Sequence, residues 1–251
     1  MLDFSGIDKN KIDRRNIRID VGLGIDAPHT AHWLMTHKDA FIIAVEPNPD
    51  NLLSLSDGRD TPKEPFSYLK TKNNSIMQSG KEIKKYNPED LFLVQGAIDD
   101  VGLKPRKQTF YCTDDINTGC SSLLKPTDKL PAKLKKEIEV DTYSLEYILD
   151  NLGLQDLGLI QFVKTDTQGK DFEVIKSLGK YLEKVVLLKC EWSVGDYYEN
   201  PTDANDFFHF MVANHFKIPS INAINETDVY FVNMRYALKL PFIDFNMPEI
   251  D

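Results

Sequence analysis

Six short apolar runs punctuate the chain, at residues 17–21, 41–45, 91–94, 159–163, 185–190 and 229–232. Several are apolar at successive positions instead of alternating, the pattern of parallel strands covered on both faces. Between them, segments at about 28–37, 49–55, 144–151, 171–181 and 204–214 carry helical periodicity. Pro28, placed after Asp26-Ala27, suits a first helical position, where its missing N–H costs nothing. Strands alternating with helices predict βαβ units and an α/β fold with a doubly wound, mostly parallel sheet.

Two stretches interrupt the alternation. Residues at about 57–90 are rich in Lys, Asn, Pro and Ser and read as an insertion or long loop. Residues at about 104–140 hold one candidate strand (108–112), a polar segment (113–122) and a Lys-rich stretch near 133–136, and read as a substrate-side loop region. The 251 residues fit one large domain over 1–251.

Composition narrows the class. A net charge of -9 argues against a nucleic-acid footprint. No apolar run approaches the roughly 20 residues of a membrane span, and residues 1–9 lack a basic-then-apolar leader profile. Three cysteines without metal-ligand spacing fit a reducing, cytoplasmic setting.

The candidate chemistry begins at Arg18-Ile-Asp-Val-Gly-Leu-Gly24 and Phe41-Ile-Ile-Ala-Val-Glu-Pro-Asn-Pro49. The first run ends in a glycine turn and the second in an acid, the arrangement by which α/β folds hold a nucleoside. The glycines, Gly22 and Gly24, admit a close ligand, and Glu46 takes the ribose hydroxyls. Asp20, just before the glycines, would repel a pyrophosphate and attract the sulfonium or ammonium of S-adenosylmethionine (SAM). Further along, the strand at 159–163 delivers Lys164 and Asp166 to its carboxyl end, where open α/β sheets bind ligands. Asp171 and Glu173 then fall in the first turn of the next helix, as its dipole favours.

The ordered phrases resemble the FkbM family of SAM-dependent methyltransferases. They are Ile19-Asp-Val-Gly-Leu-Gly, Ala44-Val-Glu-Pro-Asn-Pro, Gln95-Gly-Ala-Ile, Gly119-Cys-Ser-Ser-Leu-Leu-Lys-Pro, Val140-Asp-Thr-Tyr-Ser-Leu, Val163-Lys-Thr-Asp-Thr-Gln-Gly-Lys-Asp-Phe-Glu, Leu188-Lys-Cys-Glu-Trp and Asp228-Val-Tyr-Phe-Val. The resemblance implies a seven-stranded, Rossmann-like sheet ending in an antiparallel hairpin (about 216–219 with 229–232). It also implies O-methylation of a hydroxyl, in several family members on a sugar, so that a sugar or glycan is the expected acceptor. The family often carries a further glycine near position 26, where this chain has Asp26-Ala-Pro.

On this reading Asp20, Gly22, Gly24, Glu46, Asn48 and Ala97 bind the cofactor. Asp166 is the first candidate for the base that takes the acceptor's proton, Glu191 the second, and His29 could reach cofactor or acceptor. Ser121, Ser122, Trp192 and Tyr197, with Tyr198 beside it, are the candidate acceptor contacts, since hydroxyls and aromatic faces suit a sugar. No spacing compels a metal, although Asp166 with Glu191 could hold a divalent ion. Two alternatives use the same glycine turn: an NAD(P)-dependent oxidoreductase, which lacks a Tyr-Lys or Cys/His pairing here, and a non-catalytic methyltransferase-like binding module.

Overall fold

A computed structural model describes residues 16–25, 27–55, 88–114, 118–156, 158–192, 195–219 and 228–237, with a few positions outside these spans. Most of the expected insertion at about 57–90, and Asp26, lie outside the described residues.

The main sheet follows the apolar runs. Its strands are β1 (Ile17–Val21), β2 (Phe41–Glu46), β3 (Leu91–Gln95), β7 (Ile160–Thr165), β8 (Val185–Glu191), β9 (Phe216–Lys217), β10 (Ile224–Asn225) and β11 (Asp228–Asn233). Seven are bonded in the order β10-β11-β8-β7-β1-β2-β3, and β9 pairs separately with β11. The pairs from β3 through β8 are parallel, and β11 runs antiparallel to β8, β9 and β10. This is the mostly parallel sheet with the expected C-terminal antiparallel hairpin.

The sheet is covered on both faces, as its continuous apolar strands require. One face packs α1 (Pro28–Thr36) and α2 (Pro49–Leu55) through Ala31, Trp33 and Leu52 onto Ile42, Ala44 and Phe162. The other packs α3 (Leu145–Asn151), α4 (Asp171–Lys176) and α5 (Ala204–Ala213) onto Ile19, Ile43, Val163 and Leu188. The helix expected over 171–181 is shorter: α4 stops at Lys176, and a 3-10 segment follows at Gly179–Lys184. Ser177 caps the break, its Oγ donating to Val174 O at 2.6 Å and accepting the Leu145 N–H at 3.1 Å.

The region at about 104–140 is more ordered than a loop. Strands β5 (Arg106–Thr113) and β6 (Leu134–Tyr143) pair antiparallel, and β4 (Ala97–Ile98) joins β6 in parallel to complete a second, three-stranded sheet. In β6, Ile138, Val140 and Thr142 point inward between charged neighbours, the alternation of a sheet with one solvated face. Only Gly96 separates β3 in the large sheet from β4 in the small one. Among the described residues, no helix is long and apolar enough to cross a membrane.

Candidate active-site cleft

The chain runs from β1 outward through β2 to β3, then resumes on the other side of β1 with β7. Ligands in open α/β sheets bind beyond the strand ends at such a reversal. A cleft of about 280 Å³ opens there. Its floor is the carboxyl ends of β1, β2 and β7, and the second sheet supplies a wall through Ala97, Ile98 and Phe110.

Gly22 and Gly24 play different parts. Both have positive φ, +83° and +64°. A Cβ on Gly22 would overlap the backbone carbonyl of Asp166, so this glycine lets β1 and the turn after β7 close on each other. Around Gly24 there is open space, which leaves its backbone approachable from the cleft.

Glu46 ends β2 fully buried. Its Oε2 accepts the Gly24 N–H at 2.9 Å, and its Oε1 accepts the Asn48 N–H at 2.8 Å and Asn51 Nδ2 at 3.2 Å. Burial raises its pKa from the usual 4.5 to about 7, and the two backbone N–H groups and Asn51 offset only part of that cost. Because Asn51 commits its nitrogen to Glu46, its Oδ1 faces the other way and finds no partner among the described residues. Asn51 lines the cleft but is absent from the residues expected from sequence; five residues after Glu46, it carried only the signal of a polar residue in the first turn of α2.

Asp20 sits beneath the floor and does not line the cleft. Its Oδ2 accepts Thr30 N at 3.0 Å and Thr30 Oγ1 at 2.6 Å, and Lys164 Nζ lies 3.4 Å from Oδ1. Helix α1 explains this use of the carboxylate. It starts after Ala27, where a glycine was expected nearby; Ala27 takes a left-handed φ of 42° and has no side chain to cap the helix. Asp20 supplies that acceptor from the adjacent strand. Its charge therefore meets Lys164 and the start of α1 directly, and any pull on a bound cation is indirect.

Lys164 lines the cleft, donating to Gly22 O at 2.5 Å and lying 3.9 Å from Asp166 Oδ2. Burial opposes its charge, but Asp20 and Asp166 outweigh burial and leave its pKa raised. His29 also lines the cleft. Burial, with Lys164 and Lys189 nearby, drives its pKa down to about 2, so the ring is neutral at ordinary pH and takes up a proton poorly. Lys189 and Asp228, paired at 2.8 Å, line the end of the cleft on β8 and β11.

Asp166, just past the end of β7, lines the cleft with its side chain 48 % exposed. Gln168 Nε2 donates to Asp166 Oδ1 at 2.9 Å and to Glu191 Oε2 at 3.1 Å, placing Glu191 behind Asp166 on the same amide. Asp171 is buried at the start of α4 and accepts from Thr165 Oγ1, Thr167 N and Thr167 Oγ1. Burial raises its pKa to about 6.

Gly22, Gly24, Glu46, Ala97, His29, Asp166 and Ser121 thus share one cleft. Asn48 does not line it; its Oδ1 accepts the Asp50 N–H and caps α2, and its own N–H holds Glu46. Ser122 ties the second sheet's connector to the turn after β7, its Oγ donating to Gln168 O at 2.8 Å. Trp192 packs half-buried against the main core, and Tyr197 is 47 % exposed outside the cleft. The tyrosine turned inward is Tyr198, whose hydroxyl donates to Cys120 O at 2.7 Å. Among the described residues, no group of three or more His, Cys, Asp or Glu side chains is placed to hold a metal ion.

The comparisons with known proteins bear on what this cleft serves. No curated protein and no solved structure matches the chain. The Methyltransferase FkbM domain, however, matches residues 20–218, a span that contains every strand-end residue of the cleft except Asp228. By that match over most of its length, the chain belongs to the FkbM methyltransferase family and is a methyltransferase.

Proposed function

We propose that this methyltransferase is SAM-dependent and methylates a hydroxyl of a sugar or glycan. The observation that carries the reading is the pairing of two unlike carboxylates in one cleft: Glu46, buried at the end of β2, and Asp166, half-exposed past the end of β7.

The residues present fit an adenosine-bearing cofactor. A ribose diol brings two O–H donors, and the wall around Glu46 is rich in acceptors, including the unpartnered Asn51 Oδ1. Gly24, with open space where a side chain would stand, lets the ligand approach backbone. When bound, SAM supplies an electrophilic methyl group. The chain's own residues do the rest. Glu46, Asn51 and Gly24 anchor the nucleoside, while Ile98, Phe110 and Leu123 keep water from the cleft. Asp166 accepts the proton of the acceptor hydroxyl, which is a poor nucleophile while it keeps that proton. Beyond Asp166, the Lys189–Asp228 pair and Ser121 offer the mixed donors and acceptors that a polyol needs.

Calorimetry tests the cofactor. S-adenosylhomocysteine should bind with micromolar affinity and NADH should not; the reverse result would sink the reading. For the reaction, Asp166→Asn should remove most methyl transfer from tritiated SAM and leave S-adenosylhomocysteine binding nearly intact. Unchanged turnover would take the proton-acceptor role away from Asp166.

A further inference from the structure

Gln168 has no assigned role, yet it makes the densest set of polar contacts at the edge of the cleft. Its Nε2 donates to Asp166 Oδ1 and Glu191 Oε2, at 2.9 and 3.1 Å. Its Oε1 accepts from Tyr198 Oη at 3.1 Å, and its backbone carbonyl accepts from Ser122 Oγ at 2.8 Å. Two carboxylates can only accept here, so the amide can face them only with its nitrogen, and both of its N–H groups are used.

The backbone carries a second signal. Gln168 has φ +55°, in the left-handed region where a residue with a Cβ is strained, followed by Gly169 at +95°. A glycine would take this conformation more cheaply, so the glutamine side chain must contribute something that offsets the strain. Its contacts show what that is. Asp166 is half-exposed, and Lys164 at 3.9 Å is beyond hydrogen-bond reach. The Gln168 amide is the hydrogen bond that orients the Asp166 carboxylate in the cleft wall.

We propose that Gln168 is a positioning residue, a neutral amide that holds Asp166 and Glu191 on its two N–H groups and so aims Asp166 at the acceptor. The proposal rests on the reading of Asp166 as the proton acceptor. Other groups also act on this carboxylate: Lys164 from β7, His29 from α1, Asp171 from α4, and Cys120 and Tyr198 from the connecting segments, while Glu191 on β8 meets the same amide. Gln168 differs in touching both carboxylates through one uncharged group.

The experiment uses the full chain labelled with 15N-glutamine. The Gln168 side-chain amide resonance, assigned by its loss in Gln168→Met or Gln168→Glu, should shift in both Asp166→Asn and Glu191→Gln. A resonance indifferent to both variants overturns the proposal. In parallel, methyl transfer from tritiated SAM to a pooled mixture of deoxysugars and oligosaccharides is measured. Gln168→Met should lower kcat by about tenfold or more, with the KM for SAM within about twofold, because the base is mis-aimed while the cofactor end is untouched. Gln168→Glu, which sets a third carboxylate against the other two and has no N–H to give, should lower kcat at least as far. Full turnover in Gln168→Met, where Asp166→Asn is inactive, overturns the positioning role. If instead Asp166→Asn keeps its turnover, the proton-acceptor reading fails, and the amide shifts still decide whether Gln168 couples the two carboxylates.

Discussion

At the scale of single residues, Glu46 carries the clearest pH signature. Its folded pKa, raised to about 7 by burial, lies above its ordinary 4.5. The contribution to stability from keeping it protonated is therefore complete below pH 4.5 and lost as pH rises through about 7. Cofactor binding follows the opposite course, because the ionised carboxylate is the better acceptor for a ribose hydroxyl. S-adenosylhomocysteine should bind more tightly as pH rises from about 6 to 8, and Glu46→Gln should flatten that dependence. Glu46→Ala should weaken binding by about 1–3 kcal/mol, through loss of charge-assisted hydrogen bonds. A dissociation constant that ignores both pH and substitution would remove Glu46 from the nucleoside site. Asp166 and Glu46 show how one functional group takes two environments in one cleft: burial shields one from water, and exposure leaves the other open.

At the scale of elements, β1, β7 and α1 are joined by the Asp20–Lys164 pair. Asp20 is 1 % exposed and the Lys164 side chain 6 %. Both charges have lost their water, and their attraction roughly repays that loss. Removing one member leaves the other stranded, so Lys164→Met should cost about 3–5 kcal/mol in urea unfolding. The double variant Asp20→Asn/Lys164→Met should recover most of that loss, since the amide still accepts from Thr30 and no charge is left buried. Additive losses would show that the two residues act separately. The same pair shows how local sequence can mislead about a charge. Asp20 precedes the glycines and is aligned with a ligand in sequence, but the strand's alternation turns its side chain beneath the floor, toward the start of α1.

At the scale of the whole molecule, the cleft joins two sheets. Hydrogen exchange should be slowest in β1, β2, β7 and β8, the strands buried on both faces, and faster in the half-solvated β5 and β6. Adding S-adenosylhomocysteine should slow exchange at the ends of β1 and β2 and also in residues 96–98 of the second sheet. Protection confined to the large sheet would argue against a shared site. Legibility in the sequence followed the same division. Fully buried strands are apolar at nearly every position, so β1 appears with its observed bounds and β2, β3, β7, β8 and β11 within a residue or two, while the two-residue β10 left no apolar run to read. Strand β6 was hidden because its inward Ile138, Val140 and Thr142 are interleaved with Lys and Glu, residues that suit a solvated connector equally well. Glu46, Asp166 and the glycines stood out because strand ends are where such folds place chemistry. Asn51 and Gln168 did not, because their roles come from contacts that only folding creates. Tyr197 and Tyr198 make the point most simply: neighbours of the same type, one faces solvent and one faces inward, and no local pattern tells which.

The crossing at Gly96 has a consequence for how such a protein can diversify. Glu46 ends β2 of the large sheet and Gly24 lies in the turn after β1, whereas Phe110 and Ile98 belong to the other sheet, and Gly96 alone separates β3 from β4. Substitution of a cleft-facing residue such as Phe110 would therefore change the wall of the cleft and leave the Glu46 hydrogen bonds to Gly24, Asn48 and Asn51 in place. On the proposed reading, specificity and cofactor use can drift at separate rates, and exchanging β5 and β6 between relatives is the natural route to a new acceptor.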